Sequence, residues 1–212
     1  MKVIIATPRT GSTFYSRYLQ FKDPLLECVD ECFQDYHYPK EKNAFDITTE
    51  RLTNLKDNYI IKILAGQEVD FRVWNFLEKN KIPVTIIKRK NKRRQFISFG
   101  ISCLNNIWVR YKNRAVGLNT SFTVEENLVY KKGIYKKEWF DNLNFRLKQL
   151  EFLENFLFVD KVLYYEDIIN LEIKNTFTKK EIPIKQNLLS DNELINFFTN
   201  KVELDQWINS VK

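Results

Sequence analysis

The sequence predicts an α/β fold, with a central, mainly parallel sheet that is covered by helices on both faces. Short runs of β-branched residues alternate along the chain with longer segments whose apolar residues recur at helical spacing. Strands that alternate with helices in this way form βαβ units, in which consecutive strands run parallel. The chain has 212 residues, no internal repeat and no low-complexity segment. We therefore expect a single domain over residues 1–212.

The elements follow from local composition. Four short β-branched runs are predicted to be strands: 2–7, 58–65, 82–88 and 161–165. Helices are predicted where apolar residues recur every three or four positions: 12–21, 46–55, 68–80, 93–111, 136–156 and one or two in the tail from residue 190. Residues 22–45 and 113–135 lack a clear period and are predicted to be long loops, which often carry function.

The composition limits the classes of partner. The net charge of +7 and the pI of about 9.2 favour an anionic partner: nucleic acid, a membrane surface or a phosphorylated small molecule. No apolar run approaches the roughly 20 residues of a membrane-spanning helix, and the first residues do not resemble a signal peptide. We expect Cys28, Cys32 and Cys103 to be reduced thiols in a cytoplasmic protein. A single histidine leaves a zinc site few ligands, so we expect no metal.

The first predicted strand leads directly into the loop TPRTGST at residues 7–13. Ligands bind beyond the carboxyl ends of the strands in such sheets. Gly11 permits a tight turn and a close approach of backbone amides to an anion, the start of the next helix favours phosphate or sulfate, and Arg9 adds a permanent charge. An ordinary turn with a Ser or Thr helix cap is the simpler alternative. The loop lacks the Gly-Lys-Ser/Thr of the ATP-type P-loop, which argues against a kinase or an ATPase.

A second basic feature follows the third predicted strand. Residues 88–94 are KRKNKRR, with six positive charges in seven positions. Such a run by itself indicates a solvated basic face or a nucleic-acid patch. Here it also lies at the carboxyl edge of the predicted sheet and leads into an apolar helix. On that helix, Ser98 follows Arg89 by nine residues and Lys90 by eight.

Together these segments resemble the donor site of the sulfotransferases, most closely the bacterial carbohydrate and glycolipid (trehalose-type) branch. PRTGST resembles the 5′-phosphosulfate loop, and Arg89 with the run QFIS at 95–98 resembles the 3′-phosphate segment. The late run LYYED at 163–167 is similar to a strand end that is typical of the family. In the cytosolic and Golgi branches, the loop usually carries lysine where this chain has Arg9.

The resemblance implies a P-loop-like three-layer αβα sandwich that binds 3′-phosphoadenosine 5′-phosphosulfate. It assigns the 5′ end of this donor to the loop residues Pro8, Arg9, Thr10, Gly11, Ser12 and Thr13. It assigns the 3′-phosphate to Arg89 and Ser98, with Lys90 as the alternative to Arg89.

The resemblance also implies sulfuryl transfer to a hydroxyl group, in which the protein aligns the reactants and stabilises charge. Arg9 would clamp the transferring group, and a general base would take the proton of the acceptor. Glu31, in the run ECF at 31–33, matches the glutamate of the trehalose-type branch. Cytosolic sulfotransferases use a histidine as the base instead, and His37 is the only histidine of this chain. Glu27 and Asp30 are further alternatives to Glu31 for this role. We interpret the acids at 166 and 167 as structural.

The acceptor class that the resemblance implies is a hydroxyl of a carbohydrate or a glycolipid. The sequence leaves the individual acceptor and the oligomeric state open. Three other functions also stay open. The chain could be a P-loop-type, nucleotide-binding kinase-like protein, a non-enzymatic nucleic-acid-binding domain that uses residues 88–94, or a sulfotransferase fold that binds without catalysing.

Overall fold

The computed structural model of the chain describes residues 1–30, 50–66, 71–105, 131–168 and 190–211, and of Asp30 the backbone alone. The strands are β1 (Lys2–Ala6), β2 (Glu27–Asp30), β3 (Tyr59–Leu64), β4 (Val84–Lys88) and β5 (Val159–Tyr164). The helices are α1 (Ser12–Lys22), α2 (Phe71–Lys79), α3 (Lys92–Asn105), α4 (Lys137–Phe156), α5 (Tyr165–Ile168), α6 (Asp191–Ile195) and α7 (Lys201–Ser210). Residues 50–53 are also helical.

The chain divides into two compact units. The first comprises Met1–Lys90 and Asn144–Ile168, and the second comprises Asn91–Leu143 and Ile169–Lys212. The first unit contains every strand of the sheet, together with α1, α2, α5 and the part of α4 from residue 144 onward. The second contains α3, the start of α4, α6 and α7. The expectation of one domain over residues 1–212 stays a prediction.

The first unit is built on a five-stranded sheet of order β2-β3-β1-β4-β5, within the described residues. Every neighbouring pair in it is parallel. The predicted fold class, a three-layer α/β fold with a central parallel sheet, is confirmed. β1 is the middle strand, and in its register Ile4 lies between Lys62 of β3 and Thr85 of β4.

The two faces of the sheet follow from the alternation of side chains along the strands. One face carries an apolar cluster with α2 and α4, formed by Val3, Ile5, Ile61, Ile63, Ala65, Val73, Trp74, Leu77, Val84, Ile86, Leu150, Leu153 and Leu157. The strand residues between these positions point to the opposite face. α1 packs there, because Lys62 donates from Nζ to Thr13 Oγ1 at 3.0 Å and Cys28 Sγ lies 3.4 Å from the carbonyl oxygen of Ser16. Helices therefore cover both faces.

The second unit has an aromatic core of its own. The buried Tyr135 ring lies 5.1 Å from the ring of Phe198, and its hydroxyl donates to the carbonyl oxygen of Phe96 at 3.2 Å. Burial raises the pKa of Tyr135, so the hydroxyl stays a neutral donor. The rings of Phe96 and Phe140 stack at 4.7 Å. A Cβ at Gly100 would lie 2.1 Å from the Tyr135 ring, so α3 approaches Tyr135 this closely because position 100 has no side chain.

β2 is a strand that the pattern of the sequence does not predict. Residues 22–45 are expected to be a loop, and this is wrong for 27–30, which form β2 at the edge of the sheet beside β3. β2 has only four residues, two of them acidic, and among the described strands it pairs with β3 alone. Such a strand shows neither an apolar run nor a clear alternation, which is why composition does not reveal it.

Candidate anion-binding site

The order of the strands places a topological switch point between β1 and β4, and α/β folds leave a crevice at the carboxyl ends of such strands. The chain leaves β1 toward β2 on one side of the sheet and leaves β4 toward β5 on the other. Neighbouring strands whose connections diverge in this way leave the crevice in which α/β proteins bind their ligands. The loop at residues 7–11 follows β1, and Arg89 follows β4. Both features that the sequence singles out therefore stand at this crevice in the first unit.

The loop after β1 has an unusual backbone. Arg9 and Gly11 both adopt left-handed conformations, with φ of 66° and 75°. Gly11 does so without strain, whereas a residue with a side chain pays roughly 1–2 kcal/mol. The buried Thr10 lies between them, and its hydroxyl closes the turn by donating to the carbonyl oxygen of Thr7 at 2.8 Å. Left-handed residues in a turn are typical of concavities in which backbone N–H groups meet an anion.

The loop continues into α1 without a side-chain cap. Gly11 is the N-cap residue, and the first turn contains no acidic residue. The first hydrogen bond along the helix runs from the N–H of Tyr15 to the carbonyl oxygen of Gly11, at 2.9 Å. The N–H groups of residues 12–14 precede that bond and need acceptors from outside the helix. Together with the helix dipole, they favour a bound anion.

Arg89 reaches the loop from β4. Alternation along the strand turns Lys88 to the face of α4, where it forms an ion pair with Glu154, and turns Arg89 to the other face. Arg89 is only 8% exposed, and its Nη1 donates to the carbonyl oxygen of Arg9 at 3.0 Å. Its guanidinium carbon lies 4.3 Å from the centroid of the Tyr165 ring. The predicted site residue Arg89 is thus brought into contact with the predicted loop.

Lys62 is a further basic residue of this site, and it belongs to none of the motifs described above. It lies in β3, is 5% exposed, and donates from Nζ to Thr13 Oγ1 at 3.0 Å. The sequence carries a signal for it, since Lys62 interrupts the apolar strand YIIKIL, and lysine is almost never fully buried without a partner. This signal is easily overlooked, because a lysine within a short strand is ordinarily expected to face solvent.

The run at 163–167 lies against the same region. Glu166 accepts a hydrogen bond at Oε2 from the backbone N–H of Lys90, at 3.1 Å, and Asp167 pairs with the ammonium of Lys90 at 3.3 Å. Both acids thus fix the chain after β4, in keeping with the structural role expected for them. The Tyr165 ring lies beside Gly11, where a Cβ would be 2.9 Å from ring atom Cδ2.

The other predicted residues have different locations. Ser98 lies on α3 in the second unit, and its carbonyl oxygen accepts from the hydroxyl of Ser102 at 3.0 Å. Glu31 and His37 lie outside the described residues. Glu27 is exposed on β2, and Asp30 is the last residue of that strand, in register with Lys62. The roles of Ser98, Glu31 and His37 stay predictions.

The basic run at 88–94 is largely paired within the chain. In the first unit, Lys88 pairs with Glu154 and Lys90 with Asp167. In the second unit, Arg93 Nη2 lies 2.7 Å from an Asp205 oxygen and Arg94 Nη1 lies 2.6 Å from an Asp191 oxygen. With Arg89 buried at the loop, Lys92 is the exposed member of the run for which the described residues give no ion pair. The run therefore organises the chain more than it presents a continuous basic surface.

The described part of the chain adds two further observations. None of its helices combines the length and the apolar character that crossing a bilayer requires. Its His, Cys, Asp and Glu side chains form no group of three that could hold a metal ion. In comparisons with known proteins, no family model, no curated protein and no solved structure matches this chain.

Proposed function

We propose that the chain is a sulfotransferase that uses 3′-phosphoadenosine 5′-phosphosulfate as donor and a hydroxyl of a carbohydrate or a glycolipid as acceptor. The observation that carries the proposal is the loop at residues 7–13, which lies at the crevice with Arg9 within it and with Lys62 and Arg89 against it. Three basic residues and an uncapped helix start suit a ligand group with more than one negative charge. A phosphosulfate is such a group, because its phosphate and its sulfate are both ionised.

The chain's own residues would support in-line displacement by position and charge. The amides at the start of α1 and the guanidinium of Arg9 are suited to stabilise the oxygens of the transferring group and of the leaving phosphate. When bound, the donor supplies a sulfuryl group, whose bond to the phosphate oxygen breaks as the bond to the acceptor oxygen forms. The products are the sulfate ester, 3′-phosphoadenosine 5′-phosphate and the proton of the acceptor hydroxyl.

A general base takes that proton. Glu31 is our first candidate, because the run ECF at 31–33 matches the glutamate of the trehalose-type branch. His37, Glu27 and Asp30 are the alternatives. A carboxylate that is partly buried near the anions of the donor would have a raised pKa, which suits a base.

The alternative functions have less support. A kinase-like protein would be expected to carry lysine inside a Gly-Lys-Ser/Thr loop, whereas the lysine near this loop comes from β3. A nucleic-acid-binding domain would be expected to expose the run at 88–94, and most of its charges are paired with acids of the chain.

Titration calorimetry with 3′-phosphoadenosine 5′-phosphate tests the donor. We expect the wild-type chain to bind this nucleotide, and to prefer it to ATP, whereas Arg9→Ala and Ser98→Ala each weaken the binding. Absence of binding at high micromolar concentration, or a preference for ATP, would refute the proposal.

Turnover is measured next, with labelled donor and a panel of hydroxylated sugars and glycolipids. We expect Glu31→Gln to lose turnover while it keeps its affinity for the nucleotide. Unchanged turnover in Glu31→Gln would remove Glu31 from the mechanism, and binding without transfer to any acceptor would support a fold that binds only.

A further inference from the structure

Arg89 is held against the backbone of the loop. It donates from Nη1 to the carbonyl oxygen of Arg9 at 3.0 Å, across 80 positions of sequence. The carbonyl of Arg9 and the N–H of Thr10 belong to one planar, trans peptide group and point in opposite directions. A hydrogen bond that fixes the first therefore also fixes the second. Arg89 thus sets the orientation of the peptide group that joins Arg9 to Thr10.

Tyr165 contacts both the Arg89 guanidinium and the same part of the loop. The Arg89 guanidinium lies 4.3 Å from the centroid of the Tyr165 ring, which is the geometry of a cation–π contact. The edge of this ring abuts Gly11, where a Cβ would come within 2.9 Å. The ring therefore contacts both the arginine that holds Arg9 and the glycine two positions later, and both loop residues have a left-handed backbone.

We propose that Arg89 and Tyr165 are positioning residues that brace residues 9–11 in their anion-binding conformation, so that they serve the 5′-phosphate of the nucleotide through the loop. This inference rests on the proposed function for the choice of ligand. It differs from the role that the resemblance assigns to Arg89, which is a direct contact with the 3′-phosphate. The two roles predict opposite results with nucleotides that lack one phosphate.

The experiment compares 5′-AMP, which lacks the 3′-phosphate, with 3′-AMP, which lacks the 5′-phosphate, by calorimetry on the whole chain. Arg89→Ala is expected to weaken 5′-AMP roughly 10- to 100-fold, the scale of a hydrogen bond made by a charged group, and to leave 3′-AMP nearly unchanged. Arg89→Lys should have an affinity for 5′-AMP between those of wild type and Arg89→Ala, because its ammonium keeps the charge but lacks the planar fork.

Tyr165 gives a second, independent arm in case Arg89→Ala does not fold. Tyr165→Leu removes the ring and should weaken 5′-AMP with little effect on 3′-AMP, while Tyr165→Phe keeps the ring and should behave as wild type. Arg93→Ala is the matched control, since Arg93 belongs to the same basic run and pairs with Asp205 in the second unit. It should leave the affinity for 5′-AMP unchanged.

The outcomes separate the two proposals. If Arg89→Ala loses affinity for 3′-AMP, either alone or as much as for 5′-AMP, the proposed brace is overturned and the sulfotransferase proposal stays intact. A Tyr165→Leu variant that binds 5′-AMP as tightly as wild type would also overturn it. If the wild-type chain binds none of these nucleotides or 3′-phosphoadenosine 5′-phosphate, the proposed function fails, and the brace fails with it.

Discussion

Lys62 illustrates what a single residue contributes at this site. It occupies a position in β3 between Ile61 and Ile63, where an isoleucine or a valine would satisfy the sheet without burying a charge. Burying an ammonium costs free energy that the surroundings must offset. Its contact with Thr13 Oγ1 directs the ammonium toward the start of α1, where the loop after β1 ends. We therefore expect Lys62 to act on the ligand of that loop.

Lys62→Met tests this role, because methionine keeps a similar unbranched stem and removes the charge. We expect the affinity for 5′-AMP to fall about tenfold or more, the scale of one charge-assisted hydrogen bond, while 3′-AMP is much less affected. Calorimetry measures both affinities, and their ratio corrects for any loss of folded protein. The exposed Lys161 of β5 provides the control variant Lys161→Met. An unchanged ratio in Lys62→Met would exclude Lys62 from the site.

At the scale of the elements, the helices begin in different ways. α6 has a capping box, in which the side chain of Ser190 accepts from the N–H of Glu193 and the carboxylate of Glu193 accepts from the N–H of Ser190. α3 is capped by Asn91, whose side chain accepts from the N–H of Arg94 at 2.8 Å. α1 begins instead from Gly11, which has no side chain to cap it. In α6 and α3 a side chain before the helix thus accepts from one of the first N–H groups, whereas α1 has no side-chain cap of this kind, which favours an external acceptor at its start.

The capping box gives a pH dependence of stability. Hydrogen bonds from the hydroxyl and the N–H of Ser190 lower the pKa of Glu193 from its usual value of 4.5. A carboxylate whose pKa is lower in the folded state stabilises the fold above the unfolded pKa, and this contribution is lost as the pH falls through the folded pKa. Urea unfolding of wild type and Glu193→Gln should therefore differ most above pH 4.5, with the difference shrinking below it. A difference that does not change with pH would contradict this cap.

At the scale of the whole molecule, the excess of seven positive charges alone favours a nucleic-acid partner as much as a nucleotide. The ion pairs that the run at 88–94 forms with acids of the chain argue against a nucleic-acid partner. Arg93 and Arg94 bind Asp205 and Asp191, and Lys88 and Lys90 bind acids of α4 and α5. Charges that are already paired release fewer counterions when an oligonucleotide approaches.

We expect only weak binding of oligonucleotides, with a shallow dependence on salt. A run that contacted about five phosphates would give a slope of roughly −4 to −5 in log K against log salt. Fluorescence anisotropy with a labelled oligonucleotide over a series of salt concentrations measures this slope. Asp205→Asn should make it steeper, because it frees Arg93. Tight binding by the wild type with the steep slope would favour the nucleic-acid function instead.

Much of the fold could be predicted because the central strands are buried on both faces. β1, β3 and β4 are rich in β-branched apolar residues, and each is observed within two residues of its predicted boundaries. β2 could not be predicted, since an edge strand with acids at both ends lacks that pattern. The start of α5 at Tyr165, expected as the end of a strand, is a difference of one residue at a boundary where such assignments commonly differ.

The sequence by itself determined the class of the fold and the residue types of the loop after β1, because the spacing of apolar residues and the run of Arg9, Gly11 and the hydroxyls are local properties. The tertiary structure alone decided that β1 lies between β3 and β4. That order brings Lys62 and Arg89 to a loop that lies 49 and 80 residues away from them in sequence. Contacts over such separations depend on how the strands pair, and strand pairing is set by the packing of whole faces and not by any local pattern.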